Sequence, residues 1–355
     1  MKSRRDVRRA AWCLAAGAVL ALLPSAALAG GDYDAEPFSL RLPPAFVRFT
    51  EVSTVGGETV ANRWSSAINP ASAGWMRLPC EHGLLLAPYY SQIMFDEGAR
   101  LDVYGESLTW DTGAWGTVQP TFSQVRSRNA TTRQGLDFDY TVDSFQVQWA
   151  KRVNDWALGT NFNFAQAEIL QDGTVGPAQV HAVGNAESYR FRFGGLYEPA
   201  EHWLTGLVFE YGFQPYRSRT VTTIPLPPPL PPIVQTLRDD GTQHQFIVRP
   251  GVSYEYAPFS TVFLDYQYGC FVNKHGSLDD GRVTVGVDHQ VYRWLFVRGS
   301  AGVDRLGNAS WTAGASMHFA KWGSLDVGYQ YDPLPELRPE FGRSHVVQIT
   351  FSVRF

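Results

Sequence analysis

The last strand-length stretch of the chain, residues 344–355, alternates strictly between apolar and polar side chains. Its polar positions include Gln348, Thr350 and Arg354, which share one face of a strand because the side-chain period of a strand is two. The opposite face is wholly apolar: Val347, Ile349, Phe351, Val353 and Phe355. A strand with one apolar and one polar face is typical of a wall between lipid and a polar lumen.

The same alternation recurs in five earlier segments, residues 189–197, 262–269, 282–291, 310–319 and 325–331. In a soluble β-sandwich the outward faces would be the polar ones. Repeated strands of this kind therefore predict an all-β, antiparallel transmembrane β-barrel.

Connections between the segments predict how the barrel is arranged. Tight turns are expected near residues 153–155, 198–202, 257–260, 292–294 and 320–323. Longer connections are expected at 126–139, 171–186, 217–241, 273–280 and 333–343. Such alternation is typical of short periplasmic turns and long extracellular loops, and the aromatic residues near the tight turns indicate an interfacial girdle.

Strands placed between these connections number about fourteen, an even number as bacterial barrels require. The predicted starts are Gly83, Arg100, Ala114, Tyr140, Asp155, Glu187, Trp203, Thr242, Thr261, Asp280, Trp294, Asn308, Gly323 and Ser344. The barrel is thus expected to occupy residues 82–355.

Residues 1–29 have the three-part pattern of a secretory signal peptide. A basic start, Lys2 to Arg9, precedes an apolar run and a small-x-small site at Ala27–Ala29. The alternative is a membrane anchor, but the apolar run is short for a spanning helix. The pattern predicts export and location in the cell outer membrane.

Composition changes this picture little. Charged residues make up 18% of the chain and aromatic residues 14%, with 33 glycines. The formal charge is −4, and removal of the basic leader makes the chain more acidic, which argues against a nucleic-acid partner. Cys80 and Cys270 are too few for a disulfide framework or a zinc site, although one bridge is an alternative to two packed thiols. No cofactor is expected.

Residues 30–81 lack alternation and precede the first predicted strand. They contain Asn69-Pro70-Ala71 after a small-residue pair, Ser66-Ala67. In this the sequence resembles the FadL-type outer-membrane transporters of hydrophobic compounds, whose short N-terminal hatch carries such a motif and plugs a fourteen-stranded barrel. The resemblance implies that residues 30–81 are a hatch in the lumen.

The resemblance also implies passive uptake of hydrophobic small molecules such as long-chain fatty acids or hydrocarbons. In FadL-type proteins the third and fourth extracellular loops form the docking site, which here would use Leu226, Leu230 and Ile233 of a proline-rich loop. The alternative is a stiff spacer. An inward kink of the third strand makes the lateral exit in that family, so Pro120 is a candidate marker, unless it is an ordinary strand-end proline.

The sequence is also compatible with two rival functions. One is a secretion or assembly accessory with a periplasmic or secreted protein partner, and the other is a purely structural barrel. An enzyme is disfavoured, since Ser316 and His318 lie two residues apart on one face and Asp288 lies two strands away, too far for a triad. The expected partners are therefore outer-membrane lipid and an apolar ligand.

Inward-facing charges of both signs are predicted along several strands. Their balance favours a salt-bridged lumen that holds the hatch, with selectivity for a charged head group as the alternative. The predicted set comprises Arg190, Arg192, Arg249, Arg282, Arg298, Glu210, Glu255, Asp265, Asp288 and Asp326.

Overall fold

The computed structural model describes residues 59–63, 65–75, 83–128, 130–132, 135–227, 230–319 and 322–355. Within these ranges, no helix has both the length and the apolar character needed to cross a membrane. The predicted signal peptide, much of the predicted hatch and Cys80 lie outside the described residues.

Strands account for most of the described chain. They are β1 (Leu84–Phe95), β2 (Arg100–Asp111), β3 (Thr117–Arg128), β4 (Ala130–Thr131), β5 (Asp137–Val153), β6 (Trp156–Val175), β7 (Ala178–Ala200), β8 (Trp203–Ile224), β9 (Ile233–Ala257), β10 (Ser260–Asn273), β11 (Gly276–Tyr292), β12 (Leu295–Asp304), β13 (Ala309–Phe319), β14 (Gly323–Tyr331) and β15 (Ser344–Arg354). Short 3-10 turns lie at Pro70–Gly74, Gly113–Trp115 and Pro335–Leu337, and α1 spans Arg338–Phe341.

The strands form one closed antiparallel barrel. Each long strand pairs with its neighbours in sequence, β1 also pairs with β15, and β3 pairs with β5. Fourteen strands make the wall, and the two-residue β4 adds a short pairing to β5 beyond the end of β3. The predicted fourteen-stranded barrel is confirmed, because the alternation that identified the strands is the pattern that a closed wall imposes.

The outer wall carries an apolar belt between two levels of aromatic side chains. At the lower level, Trp156 stacks on Tyr197 with ring centroids 4.1 Å apart. Eight residues further along β6, Phe164 contacts Tyr189, which in turn stacks on Phe213. A nine-residue span between two aromatic levels matches the length that a tilted strand needs to cross a bilayer.

Three of the predicted long loops are wrong. Residues 171–186 are strand on both sides of a turn at Gly176–Pro177, and residues 217–241 are strand except for 225–232. Residues 273–280 are likewise strand except for a two-residue turn. The sequence pattern of these parts differs from that of the lower wall. Above the upper aromatic level, the outer faces of β6 to β9 meet water, so apolar residues no longer occur at every second position.

These extensions make a four-stranded sheet that projects beyond the barrel. From Phe164 to Val175, β6 continues for eleven residues, roughly 36 Å at the rise of an extended strand. The projecting sheet stands at the end of the barrel that is here called the upper end. The lower end holds Leu84 and Phe355, whose backbone groups are hydrogen-bonded to each other.

Candidate functional site: the lumen and its upper cavity

The lower half of the lumen contains a segment of the N-terminal region, residues 59–63 and 65–75, called here the lumen segment. Its turn at Pro70–Gly74 begins at Asn69, whose side chain accepts a hydrogen bond from the Ala71 backbone N–H at 3.0 Å. The Asn69 amide also donates to the carbonyl oxygens of Val60 and Gly195, at 2.9 and 3.1 Å. Asn69 therefore fixes the turn and joins it to β7.

Paired glycines on the inner wall let this segment approach the strands closely. Gly159 and Gly194 are register partners on β6 and β7. A Cβ at Gly159 would lie 2.5 Å from the Ala71 backbone nitrogen, and one at Gly194 would overlap the Asn69 side chain. The wall is thus shaped for the segment, since no other residue leaves room for it.

A charged network joins the lumen segment to the wall from above. Glu210 is buried and contacts Arg192 at 2.6 Å and Arg190 at 3.7 Å. Gln245 donates a further hydrogen bond to Glu210 at 2.9 Å. Arg192 also donates to the carbonyl of Ala67 at 2.9 Å. One arginine therefore links a buried carboxylate to the segment.

Asp265 forms a second link between wall and segment. Its carboxylate accepts hydrogen bonds from the Thr59 hydroxyl at 2.7 Å and from the Val60 backbone N–H at 3.0 Å. Nearer the lower end, Arg63 pairs with Glu198 at 2.8 Å and approaches Glu255 at 3.8 Å. Carboxylates from β7, β9 and β10 thus surround the segment.

The other predicted lumen charges lie elsewhere on the inner wall. Arg298 approaches Asp288 at 3.6 Å and Asp326 at 3.7 Å. Ser316 donates its hydroxyl proton to Asp326, so this serine is paired with a carboxylate. Arg249 is buried on β9, and Arg282 donates to the carbonyl of Pro333 at 3.5 Å.

The upper half of the lumen holds a cluster of buried apolar side chains. The β14–β15 connection, residues 332–343, buries Leu334, Leu337 and Phe341 against the inner faces of β1 to β6. Phe341 contacts Phe95 and Phe138, with ring centroids 5.3 Å from each. In the same connection Arg338 pairs with the buried Asp332 and donates to Asn308, so the plug that fills this half combines apolar packing with an ion pair.

A cavity of about 220 Å³ lies on the inner face of the projecting sheet. Its apolar wall includes Tyr140, Ala167, Ile169 and Ala186, which also pack against the apolar cluster of the upper lumen. Its other lining residues are Gln171, Ala182, Val183, Gly184, Asn185, Gln214, Tyr216, Arg217, Ser218, Thr220, Asp239 and Gln243. The cavity therefore adjoins the apolar plug.

An ion-paired group lies at the edge of the cavity. Asp239 contacts Lys274 at 2.5 Å and His275 at 2.8 Å, which ties β9 to the β10–β11 turn. Burial raises the pKa of Asp239, but the hydrogen bonds from Lys274 and His275 outweigh this effect and hold the pKa below its ordinary value. Asp239 is therefore a fixed negative charge at neutral pH.

Pro120 lies within β3, where the hydrogen-bond pairing with one of the two neighbouring strands is interrupted. The pairing of β3 with β5 continues through Pro120 and Val147. The pairing with β2 stops at Ser107 and resumes at Trp110. Because proline lacks the backbone N–H, the ladder is broken on one side only, and the strand continues past the residue. The structure thus places Pro120 inside the strand, beside a gap between β2 and β3.

The predicted docking residues do not line the cavity. Leu230 and Ile233 are exposed at the tip of the β8–β9 hairpin, and Leu226 lies in the same connection. Sequence reasoning missed Tyr216 and Gln243. The sequence carried no signal for them, because the apolar–polar alternation that marks the wall does not extend into these parts of β8 and β9.

Comparison with known proteins identifies the fold. No protein-family model and no curated protein matches the chain. Among solved structures, the CymD monoaromatic hydrocarbon channel has a TM-score of 0.61 at 13% identity, covering 86% of this chain and 97% of its own. The Ralstonia pickettii toluene transporter TbuX has a TM-score of 0.55 at 12% identity, covering 85% and 96%.

A Pseudomonas aeruginosa FadL homologue is similar over 84% of this chain and 95% of its own, with a TM-score of 0.52 at 10% identity. At such identities the likeness concerns architecture, and it agrees with the strand count and the closed topology. The chain has the fold of the FadL-type outer-membrane channels.

Proposed function

We propose that the protein is an outer-membrane channel for passive uptake of hydrophobic small molecules. The observation that carries this proposal is the cavity on the projecting sheet, which shares Ile169, Ala167 and Ala186 with the apolar upper lumen. An apolar molecule gains free energy by leaving water for such a surface. The upper end would then be extracellular, and residues 1–29 would be the export signal.

The cavity has the size of a small ligand. An engineered apolar cavity of roughly 150 Å³ binds benzene, so about 220 Å³ suits a substituted single ring or a short chain. A long fatty acid would need additional space, which movement of residues 332–343 would provide. We therefore favour compact hydrocarbons and their derivatives over long-chain fatty acids.

Two obstacles lie below the cavity, and each would have to move. The first is the packed β14–β15 connection, and the second is the lumen segment, which we propose acts as the hatch with Asn69, Pro70 and Ala71 as its structural turn. Beside the lumen segment, which contacts Gln119 through Ser66, the gap in β2–β3 pairing next to Pro120 offers a sideways exit into the membrane. Diffusion down the gradient would drive transport.

Mass spectrometry of apolar molecules retained after purification in mild detergent tests this function. Ala182→Trp should fill the cavity and remove the retained ligand, whereas Gln179→Trp, on the exposed face of the same strand, should not. Deletion of residues 220–234 removes the hairpin tip with Leu226, Leu230 and Ile233, and it should reduce ligand retention if this tip is a docking site. Heat-modifiable migration on gels verifies that each variant is folded.

Uptake by cells that lack other hydrocarbon channels completes the test. The intact protein should accelerate the accumulation of toluene-sized compounds, and Ala182→Trp should abolish this effect. If the intact barrel retains no apolar molecule, and uptake is the same with and without it, the transport function is wrong.

A further inference from the structure

We infer that the cavity selects apolar molecules that carry one uncharged oxygen acceptor, such as a ketone or an alcohol. This inference rests on the proposed function, because it concerns the same cavity. It goes beyond that function because a channel for pure hydrocarbons has no need of hydrogen-bond donors in its binding site.

Two buried donors on residues that line the cavity carry the inference. The hydroxyl oxygen of Tyr216 and the amide nitrogen Nε2 of Gln243 are both shielded from solvent. Within the part of the chain that the structure describes, neither atom has a hydrogen-bond partner. Gln243 is only 3% exposed, so its side chain is directed into the protein interior. Buried polar groups are rarely left unpaired, and an exception calls for an explanation.

The two residues that carry the donors are neighbours on the inner face of the projecting sheet. Tyr216 pairs with Gly241 and Gln214 pairs with Gln243, so Tyr216 and Gln243 occupy diagonal positions on the inner faces of β8 and β9. Diagonal neighbours have Cα atoms roughly 7–8 Å apart, within reach of two long side chains that converge. A single oxygen atom between them has the lone pairs to accept from both.

Gly241 positions the Tyr216 hydroxyl. A Cβ at Gly241 would lie 2.8 Å from the Tyr216 hydroxyl oxygen and 3.0 Å from the ring carbon that bears it. The phenol therefore lies across the glycine, where it is held flat against β9. This contact is independent of the missing hydrogen bond, and it shows that the wall accommodates the tyrosine in this orientation.

The charges around the cavity favour an uncharged ligand over a carboxylate. Arg217 and Asp239 both line the cavity, one of each sign. The Asp239 carboxylate is paired with Lys274 and His275, and it would repel a second carboxylate nearby. The two unpaired donors are neutral groups, which recognise a carbonyl or hydroxyl without a net charge.

The test compares acetophenone with ethylbenzene, two single-ring molecules of similar size that differ in one carbonyl group. Binding is measured by equilibrium dialysis in one detergent, for the intact protein and for Tyr216→Phe and Gln243→Met. Each substitution should weaken acetophenone binding about tenfold, as the loss of one hydrogen bond predicts, and should leave ethylbenzene binding unchanged. Since detergent partitioning is the same for all variants, it cancels in the ratio.

Three outcomes overturn the inference. Equal losses for both molecules would mean that the substitutions only disturb packing, and no loss for acetophenone would mean that the donors do not bind ligand. Tighter binding of benzoate than of acetophenone would contradict an uncharged ligand. If ethylbenzene binds and Ala182→Trp blocks it, the proposed function stands whatever these variants show. If no probe binds, function and inference fail together.

Discussion

The two halves of the lumen are closed by different forces. The lower half holds a segment distant in sequence through hydrogen bonds and ion pairs, as between Asp265 and Thr59 or Arg192 and Ala67. The upper half is filled by a neighbouring connection, residues 332–343, which meets the wall through buried apolar side chains and has the Arg338–Asp332 ion pair within itself. Hydrogen bonds are directional and apolar packing is not.

This difference has consequences for how each half opens. A directional contact is lost when one partner shifts by about 1 Å, so the lower closure should respond sharply to a single steric or charge change. The apolar plug loses stability in proportion to the surface it exposes, so the upper closure should respond gradually. A ligand in the upper cavity would therefore meet the more adaptable barrier first.

The largest effect is expected at Gly194, where wall and segment are in contact. Gly194→Leu places a side chain in the space of Asn69, which should expel the lumen segment while the β6–β7 pairing stays intact. Single-channel conductance in planar bilayers should rise several-fold, because the lower lumen is unblocked.

Gly195→Leu is the matched control for this steric test. Gly195 faces outward on the same strand, and a Cβ there meets only Leu158, at 3.9 Å. Its conductance should equal that of the unaltered protein. If both variants conduct alike, the segment does not block the lower lumen. An unaltered conductance in Asn69→Ala with Pro70→Ala would mean that this turn does not hold the segment in place.

Arg192→Ala is expected to have the next largest effect, on stability. It leaves the buried Glu210 without its closest partner and removes the hydrogen bond to Ala67. Loss of one member of a buried ion pair costs about 3–5 kcal/mol. The free energy of unfolding by guanidinium chloride in detergent measures this loss.

Arg126→Ala provides the comparison for Arg192. The ion pair between Arg126 and Asp143 is as short, at 2.7 Å, but both side chains are solvent-exposed. Exposed pairs contribute less than about 1 kcal/mol. Equal losses for the two variants would contradict the view that burial makes the lower network strong.

Sequence alone predicted the wall better than its contents. Alternation in residues 189–197 and 344–355 located β7 and β15, since lipid on one side forces apolar residues to every second position. The predicted start of β7 at Glu187 was nine residues late, because its upper part has water on its outer face. The close contact between Gly194 and Asn69 could not be predicted from the sequence, because the two residues are more than a hundred positions apart.

Leu337→Ala tests the upper closure and should have a smaller effect. Leu337 is fully buried in the apolar cluster, and its truncation should cost about 2 kcal/mol, the low end for such changes because a connection relaxes more easily than a core strand. Ion conductance should remain unchanged, since the lower segment still blocks the lumen. Leu230→Ala, at the exposed hairpin tip, should leave stability unaltered. A rise in conductance for Leu337→Ala would mean that the two halves do not close independently.

The smallest effect is expected at Asp239, where an exposed ion pair borders the cavity. The pKa of Asp239 is below the ordinary value of 3.8, so its contacts with Lys274 and His275 stabilise the folded state above that pH and lose their effect as the pH falls through the lowered pKa. Asp239→Asn should therefore reduce stability slightly at pH 7, as exposed pairs do, and the difference from the unaltered protein should shrink at about pH 3. Paired guanidinium titrations at the two pH values measure it. A difference that grew towards low pH would contradict the sign of the shift, and with it the assignment of Asp239 as a fixed negative charge beside the ligand.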